Sequence, residues 1–409
     1  MTTRRSVLKT MVAASLLSAW DGPVGYAFAT LPTDRRLVVV VLRGALDGLA
    51  AVPPYGDPDY ARVRGKLALE RSGANPLLDL DGFFGLHPSL VNLRAMYNAA
   101  EVLLFHNICS PYRDRSHFDG QNVLETGGAA PHILQDGWLN RALAPMGLRT
   151  GEKALAVAQT PPLLLSGPAP ATSWMPEALP AADEKFLSEV RTLYAGDPLL
   201  ATSLGNALRT EELVRASMDD GAAGDGAGQG ANAKSGGYGN LVPLFSGAGR
   251  LLADPDGPRV AVLDAAGWDT HVNEGTGDGT LARRLHVLDS ALDSLKTSLG
   301  ESWKKTAVVM ATEFGRTVRP NGNDGTDHGT GGAAFVLGGA VDGGHVRAEW
   351  VGLKDSALQD NRDQPARTDL RALFKGVLAG HIGVPKSALE SVVFPDSGHT
   401  PALVNLIRA

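Results

Sequence analysis

Residues 37–42 read Leu-Val-Val-Val-Val-Leu, an unbroken apolar run rich in β-branched side chains. A strand with one wet face alternates apolar and polar residues, whereas a strand covered on both faces does not. Similar runs occur at 102–105, 259–263, 306–310 and 334–337. Between them lie stretches with helical periodicity at 88–98, 117–125, 281–299 and 368–382. Strands alternating with helices predict an α/β fold built on a mostly parallel sheet, with helices on both faces.

In an open sheet of this kind, loops leaving the carboxyl ends of the strands gather at one edge. Four polar clusters follow the apolar runs. They are R-G-A-L-D-G at 43–48, R-S-H-F-D at 115–119, G-W-D-T-H at 267–271, and T-E-F-G-R-T at 312–317 with G-T-D-H-G at 325–329. The topology brings acids and histidines that are distant in sequence into one cleft. Carboxylates with imidazoles form the ligand set of zinc or mixed-metal hydrolases.

Each cluster has a functional and a structural reading. Asp47, flanked by Gly44 and Gly48, suits a carboxylate ligand, or else a turn or helix cap. Ser116 precedes a helix, so it suits an N-cap, or else a nucleophile whose oxyanion the helix amides hold. Asp269 and His271, two apart in a loop, can face one ion, or each can anchor a turn. Glu313 and Arg316 follow a strand. Arg316 can grip a phosphate or sulfate with its planar fork, or can neutralise Glu313. Asp327 and His328 sit among glycines, with His328 favoured as a ligand. Cys109, the single cysteine, begins C-S-P-Y-R, which fits the C-x-P-x-R pattern of formylglycine sulfatases. The alternative is a buried inert thiol.

The amino terminus predicts a twin-arginine signal over residues 1–29. Arg4 and Arg5 precede an apolar run at 11–20, and Ala27-Phe28-Ala29 offers a cleavage site. The expectation is export through the twin-arginine machinery to a periplasmic or secreted location, with a mature domain over 30–409. No later run predicts a bilayer span. The net charge of −6 gives no basic surface for nucleic acid. Residues 161–250 break the strand–helix rhythm. They begin Pro-rich, read as helical over 184–218, and become Gly/Ala/Asp/Asn-rich over 219–239. The expectation there is a helical cap insertion with a mobile loop beside it.

These motifs together resemble the exported bacterial family known as domain of unknown function 1501. The resemblance runs from about residue 37 to 394. It adds F-G-L-H-P at 84–88, S-P-Y-x-D-R-S-H-F-D at 110–119 and T-D-L-R at 368–371. That family looks like a branch of the alkaline phosphatase and sulfatase superfamily. The resemblance implies a three-layer α/β/α sandwich of the alkaline-phosphatase-like kind, with one or two divalent metals such as zinc or manganese at the strand ends. It implies an anionic ester, small or polymeric, as substrate. Asp47, Asp269, His271 and Glu313 match metal positions, His328 falls near the last metal histidine, and Asp327 is the candidate to replace the ligand missing at Phe314. Ser116 matches the nucleophile, with His117 and Arg316 as catalytic neighbours. Phe314 stands where the superfamily commonly has a metal histidine, which implies one altered metal site. The functions this leaves are an ester hydrolase, a formylglycine sulfatase using Cys109, and a non-catalytic exported binding protein on the same scaffold.

Overall fold

The computed structural model describes residues 34–146, 154–175, 184–197 and 241–408, with a few positions between 200 and 208. The expected signal at 1–29 and the low-complexity stretch at 219–239 lie outside the described residues.

The described strands of the main sheet are β1 (Arg36–Arg43), β2 (Val102–Cys109), β3 (Ala154–Val157), β4 (Ala171–Trp174), β5 (Val260–Ala266), β6 (Thr306–Ala311), β7 (Gly332–Leu337), β8 (His345–Ala348) and β9 (Thr368–Asp369). They form one sheet in the order β8-β2-β7-β6-β1-β5-β3-β4, with β9 beside β2. β1 is central and pairs in parallel with both neighbours, Val39 lying opposite Val262 and Val309. Only β7 among these strands runs antiparallel, between β2 and β6.

The alternation along β1 explains its uniform apolarity. Val38, Val40 and Leu42 enter one core, while Leu37, Val39 and Val41 enter the other. Burying one such side chain stabilises the fold by roughly 1.5–3 kcal/mol. The helices that follow are α1 (Gly48–Ala51), α2 (Tyr60–Arg64), α3 (Val91–Asn98), α4 (His117–Thr126), α5 (Trp138–Leu143), α6 (Glu184–Tyr194), α7 (Leu241–Ala253), α8 (Thr280–Leu299) and α9 (Leu370–Val377). The first core is closed by α3, α7 and α8. The second is closed by α4, α5 and α9. The result is the expected three-layer α/β/α sandwich.

The expected cap over 161–250 is corrected at both ends. Ala171–Trp174 is β4, the edge strand of the main sheet. Leu241–Ala253 is α7, which lies along α8 in the first core. The two helix backbones approach closely, since a Cβ on Gly249 would stand 2.9 Å from the Leu295 carbonyl oxygen. A four-residue strand is too short for a periodic signal. Pro243 sits in the first turn of α7, where its missing N–H has no intrahelical partner to lose.

The topology sets the location of the site. The carboxyl ends of β1, β2, β5 and β6 share one edge. Because β7 runs backwards, its amino end opens on that same edge, and the loop that carries Asp327 and His328 enters there.

Candidate metal centre at the carboxyl edge of the sheet

Three imidazoles and one carboxylate converge at this edge. His117 is the first residue of α4, Asp269 and His271 follow β5, and His328 precedes β7. Asp269 Oδ1 lies 3.1 Å from His271 Nε2 and 3.4 Å from His328 Nε2. Asp269 Oδ2 lies 3.5 Å from His117 Nε2. The Nε2 atoms of His271 and His328 are 2.9 Å apart. His117, Asp269 and His328 offer donor atoms that all lie within 4.8 Å of one another.

The far nitrogen of every ring is held by an acceptor. His117 Nδ1 is 2.8 Å from Glu313 Oε1, His271 Nδ1 is 3.2 Å from Asp327 Oδ1, and His328 Nδ1 is 2.9 Å from the Arg115 carbonyl oxygen. An ionised carboxylate or a carbonyl can only accept, so each Nδ1 carries the proton. With the proton on Nδ1, each Nε2 presents a lone pair towards the Asp269 carboxylate. Two such lone pairs 2.9 Å apart repel unless a proton or cation lies between them. His117 Nε2 is buried with no hydrogen-bond partner. The separations of each Nε2 from Asp269 and of His271 from His328, 2.9–3.5 Å, bracket the edge of a zinc tetrahedron, about 3.3 Å for zinc–nitrogen bonds of about 2.0–2.1 Å. The donor set and its outer partners fit a metal, since metal-bound histidines almost always donate their other N–H to a carboxylate or carbonyl.

The surrounding charges act differently on each group. The Glu313 hydrogen bond outweighs desolvation and raises the pKa of His117. Burial, with the neighbouring His117 charge, lowers that of His328. Burial opposes ionisation of Asp269, but the Arg316 charge overrides it and holds the carboxyl below its ordinary range. Asn321 and His271 hold Asp327 low as well. Phe314 packs its ring against His117 and His328, with centroids 5.0 and 5.2 Å away.

The expected site residues therefore separate. Asp269, His271 and His328 come together, and His117 joins them as a donor. Glu313 sits behind His117. Its Oε1 accepts from the Gly44 amide at 2.9 Å and from Gln121 at 3.1 Å, and its Oε2 lies 3.0 Å from the Thr312 hydroxyl. Asp327 sits behind His271 and accepts from Asn321 at 3.0 Å. Both expected ligands thus orient a histidine instead of facing the cluster.

Asp47 is corrected further. Its Oδ1 caps α1, accepting from the amides of Leu49 at 2.9 Å and Ala50 at 3.2 Å, and its Oδ2 accepts from buried Arg64 at 2.6 Å. Arg316 is also corrected. Its buried guanidinium donates to the carbonyls of Gly44, Ala45, Trp268 and Thr326 and, at 2.5 Å, to Asp269 Oδ1. All three of its nitrogens are spent on protein acceptors, and it ties the loops together. Ser116 occupies the N-cap position of α4 without a side-chain cap hydrogen bond. Cys109 ends β2, packed with Ala45 and Phe314, and burial pushes its thiol up to about 11.

Sequence reasoning missed several supports. Arg115 adopts a left-handed backbone, φ 61°, and points its carbonyl at His328 while its side chain pairs with buried Asp363 at 2.6 Å. Gln121 lies one turn along α4 from His117, a spacing that the sequence does display. Glu274 and Arg64 meet only through the tertiary fold.

Fold and site define an α/β/α protein with a histidine–carboxylate cluster at its strand ends. Residues 106–393 match the family described as "Protein of unknown function (DUF1501)", and the chain belongs to that family. No curated protein matches the chain. Among solved structures it is similar to the phosphonate monoester hydrolase of Agrobacterium radiobacter, at 12% identity and a TM-score of 0.34, over 86% of this chain and 74% of that one. It is also similar to BT1596, a 2-O GAG sulfatase, at 12% identity and a TM-score of 0.28, over 90% of this chain and 73% of that one.

Proposed function

We propose that His117, Asp269, His271 and His328 hold one divalent metal, and that the protein is an exported metal-dependent hydrolase of phosphate or sulfate esters. The observation that carries the reading is the convergence of three Nε2 atoms whose opposite nitrogens are each tied to an acceptor. Nitrogen-rich donors with one carboxylate favour zinc, with manganese as the nearest competitor. Export rests on Arg4-Arg5, the apolar run and the Ala27-Phe28-Ala29 cleavage site.

When bound, the ion supplies Lewis-acid polarisation and acidifies a coordinated hydroxyl or water. The chain's own residues do the rest. Glu313 keeps the proton of His117 on Nδ1, leaving Nε2 as a donor. Asp269 stays ionised beside Arg316. Ser116, whose hydroxyl is not engaged in capping, stands at the amino end of α4 as the nucleophile. The amides and dipole of that helix end stabilise negative charge developing on the ester oxygens. Phe314 walls off one side of the cluster from water.

A second reading is a non-catalytic exported protein that binds a partner or surface polymer on a hydrolase scaffold. It draws on the Arg316–Asp269 pair, which neutralises the one carboxylate of the cluster. The test loads the full chain with zinc or manganese and assays aryl phosphate, phosphonate and sulfate esters. The hydrolase reading expects metal-dependent turnover of one ester class, lost in Ser116→Ala. Metal-loaded protein inert towards all three classes would favour the binding protein.

A further inference from the structure

Two threonines stand among the proposed ligands. Thr270 lies between Asp269 and His271, and Thr326 immediately precedes Asp327 and His328. Their hydroxyls meet on one buried atom. Glu274 Oε2 accepts from Thr270 at 2.9 Å and from Thr326 at 2.7 Å. The same two loops are joined through the backbone, with Thr326 N donating to Thr270 O at 3.1 Å, Glu274 N to Asp324 O at 2.9 Å and Asn273 N to Asn323 O at 3.0 Å. They pass so closely that a Cβ on Gly325 would stand 2.3 Å from the Thr270 carbonyl oxygen.

The other side of the Glu274 carboxyl faces the body of the protein. Its Oε1 lies 3.7 Å from Arg64 Nη2, which donates to Asp47. Asp47 in turn caps α1. A chain of contacts thus runs from helices α1 and α2, through Asp47, Arg64 and Glu274, to the two threonines between the ligands. Burying two carboxyls around one guanidinium is costly compared with an apolar filling, so the arrangement calls for a role beyond filling space.

We propose that Glu274 is a positioning residue for the metal centre, fastening the loop of Asp269 and His271 to the loop of His328 and so setting the spacing of the ligand atoms. This rests on the metal reading above. Burial and the neighbouring Asp47 charge push the Glu274 carboxyl up to about 8, so it is mainly protonated at neutral pH. Glutamine reproduces that form, with one oxygen to accept from both threonines and an N–H to face Asp47.

The test uses the full chain and cobalt(II) alone, which reports ligand geometry through its visible absorption. The Thr270→Val/Thr326→Val double variant keeps the Arg64–Asp47 pair, so it stays informative if Glu274→Ala does not fold. The double variant is expected to fold, to bind cobalt about tenfold more weakly and to shift the visible bands. Glu274→Gln is expected to match wild type in affinity and spectrum. A folded double variant with wild-type affinity and spectrum would overturn the positioning role alone. Folded wild type that takes up no cobalt would overturn the metal reading and this one with it.

Discussion

Asp47 and Asp269 present the same carboxylate, on loops that leave neighbouring strands, each paired with a buried arginine. Asp47 is 1% exposed beside Arg64, whereas Asp269 is 43% exposed beside Arg316. Both oxygens of Asp47 are taken by protein donors, two helix amides and a guanidinium. Asp269 shares Oδ1 between Arg316 and the rings of His271 and His328 and turns Oδ2 towards His117 Nε2. A strand-end acid thus turns inwards where helix amides and a guanidinium take both of its oxygens, and stays half-exposed among histidines where a single arginine takes one. The first aspartate holds loops together. The second faces an unsatisfied group of donors.

That contrast can be broken at several points. Asp47→Ala removes the helix cap and the close partner of buried Arg64, leaving only Glu274 at 3.7 Å, so it should cost about 3–5 kcal/mol of stability, read by denaturant unfolding. An unfolding midpoint equal to wild type would contradict a structural Asp47. Glu313→Gln weakens the hold on His117 Nδ1 and should lower metal affinity about tenfold, measured by competition with a chromophoric chelator. Unchanged affinity would remove Glu313 from the support of the site.

Glu274 offers a pH test. Its carboxyl lies at about 8 in the folded chain against an ordinary 4.5. The folded state therefore binds the extra proton, so this group's contribution is fully present below about 4.5 and is lost as pH rises towards 8. Melting curves should show wild type losing stability relative to Glu274→Gln across that window. A constant difference between the two would mean that Glu274 is ionised throughout. The smallest effect belongs to Cys109. Cys109→Ala should leave metal content at wild-type level, and peptide mass spectra should show an unmodified thiol. Formylglycine at this position would restore the sulfatase alternative.

The sandwich was legible in the sequence because a strand buried on both faces must be apolar throughout, as residues 37–42 are. His271 and His328 were legible because parallel strands bring their carboxyl-end loops together. His328 reaches the same edge by a different route, through the amino end of antiparallel β7. Direction of pairing decides that, and the apolar run 334–337 carries no mark of it. The partners of Asp47, Glu313 and Arg316 were hidden for a related reason. An acid or guanidinium at a strand end looks the same whether it faces the cleft or turns inwards, and the choice is made by residues far away in sequence, such as Arg64 for Asp47 and His117 for Glu313. The ends of the expected cap were misjudged because β4 is short and α7 carries Pro243 in its first turn.

Everything proposed for the site depends on whether the imidazoles around Asp269 hold a metal. The most direct measurement is metal content per chain by elemental mass spectrometry, on full chain purified without a metal-binding tag or chelator, for wild type, His117→Ala and His328→Ala. About one divalent ion per wild-type chain is expected, lost in both variants while each remains folded. Folded wild type that stays free of metal after incubation with zinc and manganese, or variants that keep a full complement, would contradict it.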